Sequence, residues 1–190
     1  MDKTQIKILL IEDNPVDVIL LREALNKDAF SSFEINNTER LKAAITLLKK
    51  ESFDIILLDL GLPDSQGLDT FTSIHQVVPE APKVIFSGLS DETFALQAVS
   101  LGAQDYLIKG AAGFSAAARA IRYAIERKLA GKKMAESEER FSTAFFTSPI
   151  SQSIIDPAKG EILAVNDACC NLFEYGREEL IGADPAKLNL

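Results

Sequence analysis

The chain has 190 residues, 47% hydrophobic and 25% charged, with a formal net charge of −8, enough for one well-packed domain and part of another. No apolar run approaches the roughly 18 residues a membrane span needs, and the first residues lack the pattern of a signal peptide. The acidic balance argues against binding nucleic acid or an anionic membrane, so a cytoplasmic globular protein is expected.

Residues 6–11 are an apolar run that predicts the first strand, and 33–36, 55–58, 83–86 and 106–108 predict four more. Near-continuous aliphatic runs suit parallel strands covered on both faces. Helical patterns separate them. Asn14 caps the first, with Pro15 at its first position, Asp17 in its first turn, and Val18, Leu21 and Leu25 at helical spacing. Residues 40–50 repeat the pattern through Leu41, Ala44, Ile45 and Leu48. Residues 67–78 and 91–101 follow, and Gly102 stands where a C-terminal cap belongs. Five strand–helix repeats predict an α/β fold, an open parallel sheet with helices on both faces.

The fifth helix is expected to begin near Phe114, and no proline interrupts residues 115–146. A helix of about 30 residues extends about 45 Å. Ile121, Ile125, Leu129 and Met134 give it an apolar stripe, and Arg119, Arg122, Arg127, Lys128, Lys132 and Lys133 a basic face. Two readings stand: a surface helix with a joint at Gly131, or a signalling connector, paired or unpaired. Beyond Pro149 come two short strand-like runs, 153–156 and 161–165, a helix capped by Asn166 and a helical turn at 177–180 ending at Gly182. The two cysteines, Cys169 and Cys170, are adjacent, which suits neither a disulfide nor a zinc site.

Parallel strands open their carboxyl ends on one edge, where ligands of such sheets collect. Glu12 and Asp13 end the first strand and Asp59 ends the third, so three carboxylates are expected to converge. Their mutual repulsion raises at least one pKa. A hard divalent cation relieves it, and oxygen-only ligands favour Mg2+ over zinc. Ser87 ends the fourth strand, Tyr106 lies on the fifth, and Lys109 ends it, where an ammonium can neutralise a phosphoryl oxygen.

The segments IKILLIEDNPVD, FDIILLDLGLPDSQGLD, KVIFSGLS and AQDYLIKG together resemble the receiver domains of two-component response regulators, over residues 1–128. The resemblance implies a flavodoxin-like, doubly wound five-stranded sheet in the order 2-1-3-4-5. It implies that Asp59 is the phosphoacceptor, and that Asp13, Glu12, Asp59 and the backbone carbonyl of Gly61 hold Mg2+. Ser87 and Tyr106 would form the switch pair, with Lys109 contacting the phosphoryl group. The implied partner is a histidine kinase or a phosphotransfer protein. Pairing of two copies is expected through the face of the fourth helix, fifth strand and fifth helix, or through the connector. This sequence departs from the family at Gly110, where proline is usual, and at Gly61, which puts no side chain over the acyl phosphate.

The tail SEERFSTAFFTSPISQSIIDPAKGEILAVNDACCNLFEYGREELIG is similar to the opening half of a PAS sensor domain. The expected division is a receiver domain at 1–128, a helical connector at 129–140 and a truncated PAS domain at 141–190. The function expected is a phosphorylation-dependent switch relayed through the fifth helix. The alternatives are an adaptor that docks partners without phosphorylation, or a Mg2+-dependent phosphatase with an aspartyl-phosphate intermediate. Such phosphatases carry a second aspartate two residues after the nucleophile, where this chain has Gly61. The single histidine, His75, lies in the third helix, and no nucleotide-binding segment follows it, so a kinase is not expected.

Overall fold

Successive side chains of a strand point to opposite faces, and at residues 8–11 and 55–58 of this chain all of them are aliphatic. A computed structural model describes residues 4–88 and 92–185. The expected helix start at Asp91, residues 89–90 and the last five residues of the tail lie outside the described residues. In chain order the elements are β1 (Thr4–Ile11), α1 (Pro15–Asn26), β2 (Ser31–Thr38), α2 (Leu41–Leu48), β3 (Ile55–Leu58), β4 (Gly61–Leu62), β5 (Ser65–Gln66), α3 (Leu68–Val77), β6 (Lys83–Ser87), α4 (Glu92–Ser100), β7 (Asp105–Ile108), α5 (Ala111–Phe146), β8 (Ser153–Ile155), β9 (Ile162–Val165), α6 (Asp167–Phe173) and α7 (Arg177–Leu180). The chain forms two compact units that divide after Leu129.

The first unit is built on a five-stranded parallel sheet in the order β2-β1-β3-β6-β7, the flavodoxin-like order expected. Leu9, Ile11, Ile56, Leu58 and Ile85 face one side, with Leu41, Ala44, Leu48, Phe71, Ile74 and Ala98 from α2, α3 and α4. Ile8, Leu10, Ile55, Leu57 and Val84 face the other, with Leu21 and Leu25 from α1 and Ala117, Ile121 and Ala124 from α5. Each valine, leucine, isoleucine or phenylalanine among them, fully buried, contributes about 1.5–3 kcal/mol.

Two of the helix ends are held by groups that sequence spacing does not announce. Asn14 caps α1 as expected, its Oδ1 accepting the Val16 N–H at 3.0 Å. Arg40, at the corresponding place before α2, makes no side-chain cap. Asp64 serves instead, from the β4–β5 hairpin, accepting from the amides of Leu41 at 2.9 Å and Lys42 at 3.2 Å. Burial pushes the Asp64 carboxyl up, but these amides outweigh it and hold the group below the ordinary range. At the far end of α3, the buried Lys83 ammonium donates to the carbonyls of Val78 (2.6 Å), Ala81 (2.7 Å) and Pro79 (3.3 Å).

Helix α5 starts at Ala111 rather than near Phe114, and it runs unbroken through Gly131 to Phe146. Its early start rests on a close approach: a Cβ on Gly113 would stand 1.9 Å from the Ile108 carbonyl oxygen. Part of its basic face is neutralised. Arg122 pairs with Asp28, Lys128 with Glu80, and Arg127 donates to the Gln104 carbonyl.

In the second unit β8 and β9 pair as an antiparallel hairpin. Asp156 closes the turn, its side chain accepting from the amides of Ala158 at 2.8 Å and Lys159 at 3.3 Å. Ile162, Val165, Cys169 and Leu180 form a small core, flanked by Cys170, Phe173 and Tyr175. Asn166 is fully buried at its centre. Its Oδ1 accepts from Cys169 N (2.9 Å), capping α6, and from Gln152 N (3.0 Å). Its Nδ2 donates to the carbonyls of Ile150 (2.7 Å), Phe145 (3.1 Å) and Ser148 (3.4 Å).

Candidate functional site

The sheet ladder extends one residue past three of its strands, and it is this extension that fixes the site. The Glu12 amide donates to Thr38 O, the Asp59 amide to Ile11 O and the Lys109 amide to Ser87 O, each at 2.9 Å. All three side chains therefore leave rigid backbone on the same edge. Asp59 is 7% exposed and Glu12 1%, while Asp13 is half-buried.

Glu12, Asp13 and Asp59 each offer a carboxylate oxygen within 4.8 Å of the others. With no nitrogen or sulfur donor among them, the set fits a hard divalent cation. The Lys109 ammonium stands 2.6 Å from Asp59 Oδ2, 2.6 Å from Glu12 Oε2 and 3.0 Å from Asp17 Oδ2. Burial pulls the ammonium pKa down, but these carboxylates outweigh it and hold it above the usual lysine value. Desolvation pushes the Glu12 carboxyl up, although Lys109 and the Asn14 amide draw it back. The other Asp59 oxygen, Oδ1, accepts the Gly61 N–H at 3.1 Å. A Cβ on Gly61 would sit 3.9 Å from both Asp59 oxygens, in ordinary contact.

Ser87 is 2% exposed at the end of β6. Tyr106 pairs with Ile85 across the ladder and packs, half-buried, against the core on the α2–α3–α4 side. Strand alternation places Ser87, two residues after Ile85, on that same side. Gly110 follows Lys109 at φ 138°, a conformation closed to proline, whose φ is locked near −65°. The glycine at this place is therefore matched to the backbone that aims Lys109.

Glu12, Asp13, Asp59 and Lys109 are thus brought together, with Gly61 beside them and Ser87 and Tyr106 on the neighbouring strands. The residue that sequence reasoning missed is Asp17, read there only as an acidic residue favouring the N-terminus of α1. The signal was present: with Asn14 as cap and Pro15 at the first helical position, residue 17 is the third, whose side chain reaches back toward the cap. His75 stacks on Phe71, ring centroids 5.6 Å apart, in the last turn of α3.

A model described as the response regulator receiver domain matches residues 8–116, more than half of the chain. The chain belongs to the response regulator receiver domain family of two-component systems. The glycerol metabolism activator of Pseudomonas putida is 35% identical over 107 residues, covering 54% of this chain and 47% of its own. Transcriptional regulatory protein KdpE of Staphylococcus aureus (strain NCTC 8325 / PS 47) is 37% identical over 105 residues, covering 55% and 44%. The chain therefore spans about half the length of these curated relatives. A crystal structure of a response regulator protein from Burkholderia pseudomallei, with a phosphorylated aspartic acid, calcium ion and citrate, superposes with a TM-score of 0.52 at 26% identity, covering 73% of this chain and 75% of that one. Among the described residues, no helix is long and apolar enough to cross a membrane.

Proposed function

We propose that residues 1–128 form a phosphorylation-dependent switch with Asp59 as its phosphoacceptor and Mg2+ as its cofactor. One constellation carries the reading: three carboxylates with oxygens within 4.8 Å of one another and an ammonium 2.6 Å from Asp59. An Asp59 oxygen attacks the phosphorus of a phosphohistidine or a small phosphodonor. The bond to the leaving group breaks with its electron pair, which departs on the imidazole or the donor anion. Lys109 neutralises one phosphoryl oxygen as a point charge. Glu12, Asp13, Asp59 and the Gly61 carbonyl would hold Mg2+, which would supply further charge neutralisation at the phosphoryl oxygens. Ser87 then turns its hydroxyl to a phosphoryl oxygen, and Tyr106 follows into the space vacated. The surface of α4, β7 and α5 changes its partner preference, and α5 carries the change onward.

In this reading 129–140 is a helical connector and 141–190 the N-terminal half of a PAS domain. The β8–β9 hairpin followed by the Asn166-capped α6 supports it. The partner is a histidine kinase or phosphotransfer protein in the cytoplasm, with a second copy pairing through the α4–β7–α5 face or the connector. A phosphatase role is disfavoured because Gly61 offers no carboxyl to act as general acid. Incubation with acetyl phosphate and MgCl2 is expected to add one phosphoryl group to the chain by intact mass. Asp59→Asn is expected to abolish the addition, and undiminished labelling of that variant sinks the assignment.

A further inference from the structure

Among the described residues, Asp17 touches the site through Lys109 alone, yet it is held in place for that contact. It sits in the first turn of α1, and its Oδ2 accepts from Asn14 Nδ2 at 3.1 Å. The Asn14 amide in turn donates to Glu12 Oε1 at 3.0 Å. One residue therefore orients both Glu12 and Asp17, two of the carboxylates that contact the ammonium.

Lys109 and a divalent cation compete for the same two carboxylates. The ammonium lies 2.6 Å from both Glu12 Oε2 and Asp59 Oδ2, and these two residues belong to the oxygen cluster that would hold the metal. A cation entering the cluster repels Lys109 from both. The side chain is only 13% exposed, so leaving without a new anion strands a charge in a poorly solvated place. Asp17 Oδ2, at 3.0 Å, is the one carboxylate of the three outside the metal-holding cluster.

We propose that Asp17 is a positioning residue of the phosphorylation site, retaining the Lys109 ammonium when a divalent cation takes Glu12 and Asp59. The inference rests on the metal-holding reading given above. Its consequence is that cation and lysine occupy the site together. With Asp17 absent, each gains at the other's expense.

The test uses the whole chain with MgCl2 and no phosphodonor. Amide shifts of Asp13 and Asp59 report cation binding, and the 15N-resolved ammonium signal of Lys109 reports its hydrogen bonding; loss of that signal in Lys109→Met assigns it. In the unaltered chain the cation is expected to bind and the ammonium signal to persist. In Asp17→Asn, Mg2+ affinity is expected to fall about three- to tenfold, the scale of one charge a few ångströms from the ion, and the ammonium signal to vanish on saturation. Asp17→Glu is expected to restore both, which separates this role from a loss of α1 structure. Unchanged affinity in Asp17→Asn overturns the proposal. So does weakened affinity with the ammonium signal intact, which assigns Asp17 a field effect only. Absence of saturable binding in the unaltered chain overturns the metal-holding reading and this inference with it.

Discussion

Burial moves the titratable groups of the first unit in opposite directions according to the charge each would carry. The Glu12 carboxyl is pushed up by desolvation. The His75 imidazole is pushed down from 6.5, first by desolvation and then by the positive charge of Lys83. The fold therefore favours neutral His75, so its contribution to stability is present above pH 6.5 and is lost as pH falls through the lowered folded value. Because the chain has one histidine, its ring C–H resonances can be followed without ambiguity. A midpoint below 6.5 is expected, with a flatter acid limb of the stability profile in His75→Gln. A midpoint at or above 6.5 contradicts the packing of the ring on Phe71. At the same scale, Glu12, Asp13, Asp59 and Lys109 are readable from sequence because each follows a strand, and parallel strands share one edge. Asp17 escapes such reading because an acidic residue in a first helical turn already has a local reason to be there.

Among the elements, α5 is the most informative. Its two glycines meet opposite surroundings. A Cβ at Gly113 would stand 1.9 Å from the Ile108 carbonyl oxygen, whereas one at Gly131 meets nothing within 4 Å. Gly113→Ala is expected to destabilise the first unit by about 1–3 kcal/mol, as overpacking does. Gly131→Ala is expected to stabilise its helix by about 0.5–1 kcal/mol. Urea midpoints and amide exchange along α5 check the pair, and equal responses from the two contradict this account of the helix. The type and order of the elements are legible because apolar runs and helical spacing alternate cleanly. Their ends are less so. The start of α5 depends on backbone touching backbone at Gly113, the cap of α2 comes from Asp64, and the carbonyls after α3 are closed by Lys83. Each partner is set by tertiary structure and leaves no local signature.

At the scale of the molecule, each unit has its own core, and the second is small. Four buried side chains, Ile162, Val165, Cys169 and Leu180, form it, so the hydrogen bonds of Asn166 matter there more than they would in a large domain. Asn166→Ala leaves the carbonyls of Phe145 and Ile150 and the amides of Gln152 and Cys169 without that partner. A cost above about 2 kcal/mol is expected, since buried groups left unpaired lose their full solvation. Hydrogen exchange should show lost protection in β8, β9 and α6, with acetyl phosphate labelling of the first unit retained. Protection unchanged around residue 166 contradicts that role.

Asp59 is expected to carry the phosphoryl group, and borohydride trapping locates that group to a single residue. An acyl phosphate is reduced by borohydride to the alcohol, which converts a phosphorylated aspartate into homoserine. After treatment with acetyl phosphate and MgCl2, homoserine is expected at position 59, with little formed when the cation is chelated. Homoserine at another aspartate, or none at position 59 in a chain that has gained phosphoryl mass, contradicts that assignment.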